Sequence, residues 1–191
     1  MMETEKKNKI EIKGIKFMKD VQFFALTIGV PGSGKSTYLK KTNLEIVSRD
    51  VIRFAILDKY HTDDYFSHED EVWTEFVNTI VEAINDGKSV VADATHLSKG
   101  SRRKLLNAVM PRLKNKEERR LVVLGLYFDV PLDVCLERNA QRTGRAFVPE
   151  DQIRNMYASL TRPDETEGID YELVINEKGI PELFLGLKES Y

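Results

Sequence analysis

The sequence predicts an α/β fold in which a parallel sheet of roughly five strands lies between two layers of helices. Three observations carry that expectation. Short continuous apolar runs, the form of strands buried on both faces, alternate with longer segments whose apolar residues recur at helical spacing. The apolar run at residues 23–28 leads directly into a glycine-rich loop and then a helical pattern. The 191 residues carry 41% hydrophobic side chains, enough to bury one core, and no repeat or low-complexity stretch divides them.

The elements follow in order. Residues 1–20 form a charged extension whose weak alternation (Ile10, Ile12, Ile15, Phe17) suits either an added edge hairpin or a loosely held tail; residues 21–191 form the folded domain. Residues 23–28 are the first buried strand, followed by the glycine-rich loop and a helix from Lys35 to about residue 41. A short second strand, 45–48, hands over to Arg49 and Asp50, and a short helix runs from Asp50 to about residue 57. Val72, Trp73, Phe76, Val77, Ile80, Val81, Ala83 and Ile84 mark a long core helix over 67–86, with Gly87 just past its end. Residues 89–92 are a third strand ending at Asp93, and Ser98 caps a basic helix that stops at Pro111. A fourth strand spans 121–128, Pro131 opens a helix through Arg142, and Pro149 opens another to about residue 160. Residues 171–175 are the fifth strand.

Composition narrows the function classes. Twenty-nine Lys and Arg against 31 Asp and Glu leave a formal charge of −2, so nothing global suits coating long stretches of nucleic acid. The single cysteine, Cys135, lies in an apolar stretch and reads as an inert core thiol in a reducing compartment; His61, His68 and His96 lack metal-ligand spacing. The longest apolar run is far too short to cross a membrane, so a soluble, cytoplasmic protein is expected.

Residues 29–36 read G-V-P-G-S-G-K-S, the G-x-x-x-x-G-K-[ST] pattern of a phosphate-binding P-loop. Between a buried strand and a helix, successive backbone N–H groups can surround phosphate oxygens, and Gly29, Pro31, Gly32, Ser33 and Gly34 are the expected cofactor-binding residues of this loop. Lys35 reaches the outer phosphates of ATP, the Ser36 hydroxyl is placed for Mg²⁺, and Thr37, the next residue, joins the expected cofactor-binding set. Asp50 directly follows the second strand, where parallel strand ends face a ligand crevice, and an acid there can accept a proton from an attacking hydroxyl. Arg53, one helical turn on, suits an anionic substrate; the plainer alternative is a helix-capping Asp with a surface Arg. Asp93 suits a Mg²⁺–water or a substrate contact, or a helix cap. Arg138, Arg142 and Arg145 border the connector 143–148, where they would supply charge to a transferring phosphoryl group or simply form a solvated face. The basic run Lys99, Arg102, Arg103, Lys104 reads as solvated surface.

Taken together, L-T-I-G-V-P-G-S-G-K-S-T (26–37), S-R-D-V-I-R (48–53), A-D-A-T-H-L (92–97) and F-D-V-P through R-N-A-Q-R-T-G-R-A-F-V-P (128–149) resemble the polynucleotide 5′-hydroxyl kinases of phage and bacterial end-healing systems. The resemblance covers most of 23–161, and its R-D-x-x-R and R-N-x-x-R-x-G with a following V-P are more selective than the P-loop. It implies a three-layer P-loop kinase fold with an arginine-bearing lid, ATP as phosphoryl donor, Mg²⁺, and the 5′-OH end of DNA or RNA as acceptor. It further implies Asp50 as general base, Arg53 on the acceptor's phosphate, Asp93 in the acceptor site, Arg138 and Arg142 on the donor phosphates, and Val148 and Pro149 beside the terminal nucleotide. Arg145 falls where the pattern is looser. The D-x-D-x-T motif of bifunctional members is missing, so 3′-phosphate removal and ligation are expected of separate proteins.

Two other functions fit the residues. A kinase for a nucleoside, sugar or nucleotide-sugar hydroxyl shares the P-loop, the Asp after the second strand and the arginine lid. A nucleotide-binding module that organises a partner needs the cradle but not Asp50.

Overall fold

The computed structural model describes residues 11–12, 15–16, 21–115 and 120–187. Strands β1 (Glu11–Ile12) and β2 (Ile15–Lys16) pair antiparallel in a small sheet separate from the main one, so the alternation of the extension folds as a hairpin; residues 1–10 and Phe17 lie outside the described residues.

The main sheet comprises β3 (Gln22–Ile28), β4 (Glu45–Ser48), β5 (Val90–Asp93), β6 (Leu121–Phe128), β7 (Tyr171–Ile175) and β8 (Pro181–Gly186). They lie in the order β4-β5-β3-β6-β7-β8, parallel except for β8. The expected sheet of roughly five strands therefore gains a sixth. Strand β8 turns back antiparallel on β7 through a loop in which the Asn176 side chain accepts from the Lys178 and Ile180 N–H groups. It opens on a proline, which lacks an N–H and is tolerated at a strand's first residue and on an edge, so its sequence does not look like a core strand.

Side chains alternate faces along β3 and divide the core. Phe24 and Leu26 pack with Val90, Ala92 and Val123 against α3 (Glu69–Asn85) and α4 (Lys99–Val109). Phe23 and Ala25 pack with Leu124, Leu126 and Leu173 against α1 (Lys35–Leu39), α5 (Leu132–Ala140) and α6 (Glu150–Ala158). The result is three layers, with α2 (Arg49–Lys59) leaning on α3 beyond the C-terminal end of β4. Ser98 caps α4 in a reciprocal box with Ser101, and α4 ends at Val109, followed by a single 3₁₀ turn, 110–112, that contains Pro111.

One expectation about α4 is overturned. Its basic run is not a uniformly solvated face: Arg102 is fully buried. Arg102 Nε and Nη2 donate to Glu167 at 2.6 and 2.8 Å, and Nη1 donates to the carbonyls of His96, Leu97 and Thr161 at 3.1, 3.1 and 2.9 Å. The side chain follows helical spacing with Leu105, Leu106 and Val109, so it points into the core and needs an internal acid. It ties the loop after β5 to the segment before β7. Removing one partner leaves the other charge buried and alone, which costs on the order of 3–5 kcal/mol. Glu167→Ala should therefore lower the urea midpoint sharply, followed through the fluorescence of the single tryptophan, and Arg102→Met with Glu167→Leu should recover much of the loss. An unchanged midpoint in Glu167→Ala would mean that the pair does not anchor this segment.

Candidate active site

The phosphate cradle is shaped by backbone that only glycine allows. Gly32 and Gly34 adopt φ of +85° and +93°. A Cβ on Gly32 would stand 2.2 Å from the carbonyl oxygen of Cys135, so α5 packs directly on the loop and fixes its curve. Strand β3 is locked to the neighbouring loop where Gly29 N–H donates to Thr95 O at 3.0 Å. The N–H groups of Gly34, Lys35 and Ser36 open α1 without a side-chain cap or an internal acceptor, and the Ser33 hydroxyl is buried without a partner. Such unmet donors turned toward one concavity suit an anion of several oxygens. Pro31 is half-buried, and Thr37 is exposed on α1.

Lys35 folds over this loop, its ammonium donating to the carbonyls of Gly29 and Val30, both at 2.9 Å. Burial lowers its pKa to about 8; Asp93 opposes that shift, Arg142 adds to it and Asp50 opposes it. Those three charges therefore lie within electrostatic reach of Lys35.

Asp93 closes β5 beside it. Ser36 Oγ donates to Asp93 Oδ2 at 3.3 Å, while Thr27 Oγ1, which bonds Ala94 O at 2.7 Å, lies 3.4 Å from Asp93 Oδ1. Burial raises the Asp93 pKa; Lys35 opposes this and Asp50 reinforces it. A hydroxyl and a carboxylate facing one another at the mouth of a phosphate cradle are the hard oxygen donors that Mg²⁺ takes alongside phosphates. Among the described residues no cluster of three or more His, Cys, Asp or Glu would hold a metal by itself. His96 serves the scaffold: its Nδ1–H donates to Thr27 O at 2.9 Å, its ring stacks on Phe76, and burial lowers its pKa to about 4, so it stays neutral.

Asp50 is the second residue of α2, not its cap. Its Oδ1 accepts from Arg53 Nη1 at 2.7 Å and from the Tyr65 hydroxyl at 3.0 Å. The side chain is nonetheless 65% exposed. One carboxylate oxygen is thus held and the other is open. The charge of Asp50 is felt at both Lys35 and Asp93, which puts it on the cradle side of the sheet.

Arg53 stands differently from the expectation of a substrate contact. It is only 5% exposed, and four of its five N–H bonds are taken. Nε and Nη2 donate to Glu69 Oε1 at 2.9 and 2.6 Å, Nη1 donates to Asp50 and to Tyr65, and the guanidinium lies 4.3 Å over the Tyr65 ring. Tyr65 and Glu69 were not apparent from sequence. Tyr65 sits between helices, and Glu69 looks like one of three acids that complement the N-terminus of α3.

The lid spans 141–147, all exposed. At its base Arg138 donates to Glu177 O at 2.7 Å, and its Nη1 would lie 3.7 Å from a Cβ on Gly34, so it borders the cradle. Arg142 is exposed, makes no ion pair among the described residues, and its charge reaches Lys35. Arg145 points away from the cradle, pairing with Asp58 at 2.6 Å and Asp63 at 2.9 Å where it borders a shallow depression two turns along α2 from Asp50. Val148 and Pro149 form the lid's root: the buried Asn139 amide clamps both backbone groups of Val148, and Pro149 precedes α6.

The fold recurs in solved proteins. A sugar kinase from Janibacter sp. HTCC2649 superposes with a TM-score of 0.56 at 19% identity over 82% of this chain and 86% of its own. A chain of the Pnkp1/Rnl/Hen1 RNA repair complex gives 0.58 at 21% identity, over 75% of this chain but 45% of that one. A fungal RNA kinase gives 0.54 at 15% identity, over 90% and 77%. At these identities the likeness concerns the fold. No described helix is long and apolar enough to cross a membrane. Residues 24–163 match the AAA domain family model, and with its cradle, sheet and lid in place this chain belongs to the AAA domain family and carries a P-loop kinase fold.

Proposed function

We propose that this chain is an ATP-dependent polynucleotide 5′-hydroxyl kinase. The observation that carries this reading is Asp50: a carboxylate held at one oxygen by Arg53 and Tyr65, open at the other, and within the field of the phosphate cradle. The 5′-hydroxyl oxygen attacks the γ-phosphorus, its proton passes to the open oxygen of Asp50, and the bridging oxygen leaves with its electron pair on ADP. Lys35, Arg138 and Arg142 meet the charge that shifts onto the leaving oxygens. Ser36 and Asp93 would hold Mg²⁺, which neutralises phosphate charge when bound. Arg53 acts as a positioning residue for Asp50, and Val148 and Pro149 would border the terminal nucleotide.

The commitment of Arg53 to Glu69 favours a second reading, a kinase for a small-molecule hydroxyl, because the expected anchor for an acceptor phosphate is turned inward. Transfer of γ-labelled phosphate from ATP to a 5′-OH DNA or RNA oligonucleotide, run beside a panel of nucleosides and sugars, decides between them. Labelled oligonucleotide supports the polymer reading; label on a panel compound alone overturns it.

Two further outcomes follow from the geometry. Tyr65→Phe frees one side of the Asp50 carboxylate, and misorientation of a reacting group of this kind slows turnover by roughly ten- to a hundredfold. ATP affinity should stay at the wild-type value, as isothermal titration would show; a wild-type kcat would remove Tyr65 from the mechanism. Lys35 loses its proton as pH rises through about 8 in the free protein, while bound phosphates favour the ammonium. ATP binding must then take up a proton at high pH, so affinity should fall about tenfold between pH 7 and pH 9. A flat profile would show that the Lys35 charge does not hold the donor.

A further inference from the structure

One cluster outside the catalytic groups gathers positive charge beside the turn of α2 that carries Asp50. Arg49 directly precedes Asp50 in the first turn of α2. Its guanidinium lies 5.7 Å over the ring of Trp73 from α3, and Lys104 from α4 reaches the same ring at 4.6 Å. Three helices thus bring two cations onto one indole.

Part of the positive charge of this cluster is unanswered. Arg49 Nη2 pairs with Glu69 Oε2 at 2.7 Å, and the other oxygen of that carboxylate holds Arg53, which also pairs with Asp50. Arg49 Nε is buried without a hydrogen-bond partner among the described residues. Lys104 has the neutral ring and no acid partner among the described residues, and Arg103 beside it is exposed and equally unpaired. A cation held over an aromatic face keeps its full charge, unlike one held by a carboxylate. In a chain of formal charge −2, this is a local positive surface that begins one residue from the catalytic acid.

We propose that Arg49, Trp73 and Lys104 form a subsite for the internucleotide phosphates just 3′ of the acceptor's terminal nucleoside, with Trp73 holding the two cations in place. This inference rests on the polynucleotide reading. It assigns the acceptor's phosphodiester to α2, α3 and α4 and leaves Arg53 to orient Asp50. A sugar or free nucleoside has no such phosphate and gains nothing from the subsite.

Trp73 is the protein's one tryptophan, so its fluorescence reports on the subsite independently of catalysis. The experiment titrates wild type, Lys104→Glu and the charge-matched control Lys114→Glu with a single-stranded 5′-OH oligonucleotide, then measures KM and kcat for the same acceptor at several salt concentrations. The expected result is a saturable Trp73 signal in wild type and a roughly tenfold higher KM in Lys104→Glu with kcat within about twofold. The slope of log affinity against log salt should be shallower by about 0.7 or more for each phosphate that the variant no longer neutralises. A Lys104→Glu protein with the KM and salt slope of Lys114→Glu overturns the subsite. If wild type phosphorylates no oligonucleotide, the kinase reading fails by itself, and the fluorescence titration still judges the subsite: Lys104-dependent binding upholds it and absent binding overturns it.

Discussion

The parallel register of β4, β5 and β3 is the constraint on which the site depends. Ser48 stands level with Asp93, and Ala92 with Leu26, so the three strands end along one line. Beyond that line β3 becomes the cradle, β5 presents Asp93 and β4 passes into the turn of α2 that carries Asp50. Because side chains alternate along a strand, a slip of one residue would turn Asp93 into the core and move the Thr27 hydroxyl away from it. The burial of both sheet faces makes such a slip costly, since every core side chain of the strand would move with it.

On the proposed reading the chemistry then rests on charges around the cradle, with Lys35 and Asp93 largely withdrawn from solvent and Asp50 open to it. Lys35 and Asp93 perturb one another across the cradle, and Asp50 acts on both. Behind this group lies a second set of contacts that carries no chemistry but limits motion. Glu69 holds Arg49 and Arg53, Arg53 holds Asp50 and Tyr65, and the buried Arg102 holds the loop that follows Asp93. The acid end of the site is therefore held by many contacts, while the lid is exposed from 141 to 147 and clasped to α2 through Arg145 alone among the lid arginines. On the proposed reading, that contrast suits an enzyme that keeps its base fixed and moves its donor-side arginines.

Much of this was legible in the sequence because it depends on neighbours in the chain. Glycine spacing announces the cradle, and acids placed just after apolar runs announce strand ends. The layered fold follows from the same alternation of runs. What the sequence hid depends on partners far apart in it. Arg53 reads as a free cation until Glu69, sixteen residues on, takes its guanidinium. Arg102 sits in a basic run and looks solvated, yet its helical phase matches Leu105 and Leu106, and that phase was the available signal. Arg145 lies beside Arg142 in sequence, but only the fold shows that it faces Asp58 rather than the cradle. Strand β8 begins with a proline and lies on an edge, where the pattern of a buried strand is weakest.

On the proposed reading, donor binding and proton acceptance belong to different strand ends. Asp50→Asn separates them in one protein: Mg²⁺–ATP affinity by calorimetry, and single-turnover transfer to a 5′-OH oligonucleotide by label. ATP affinity should stay within about twofold of wild type while transfer slows by roughly a hundredfold or more, the scale of a lost general base. Transfer at the wild-type rate, or ATP affinity lost together with transfer, would contradict that division.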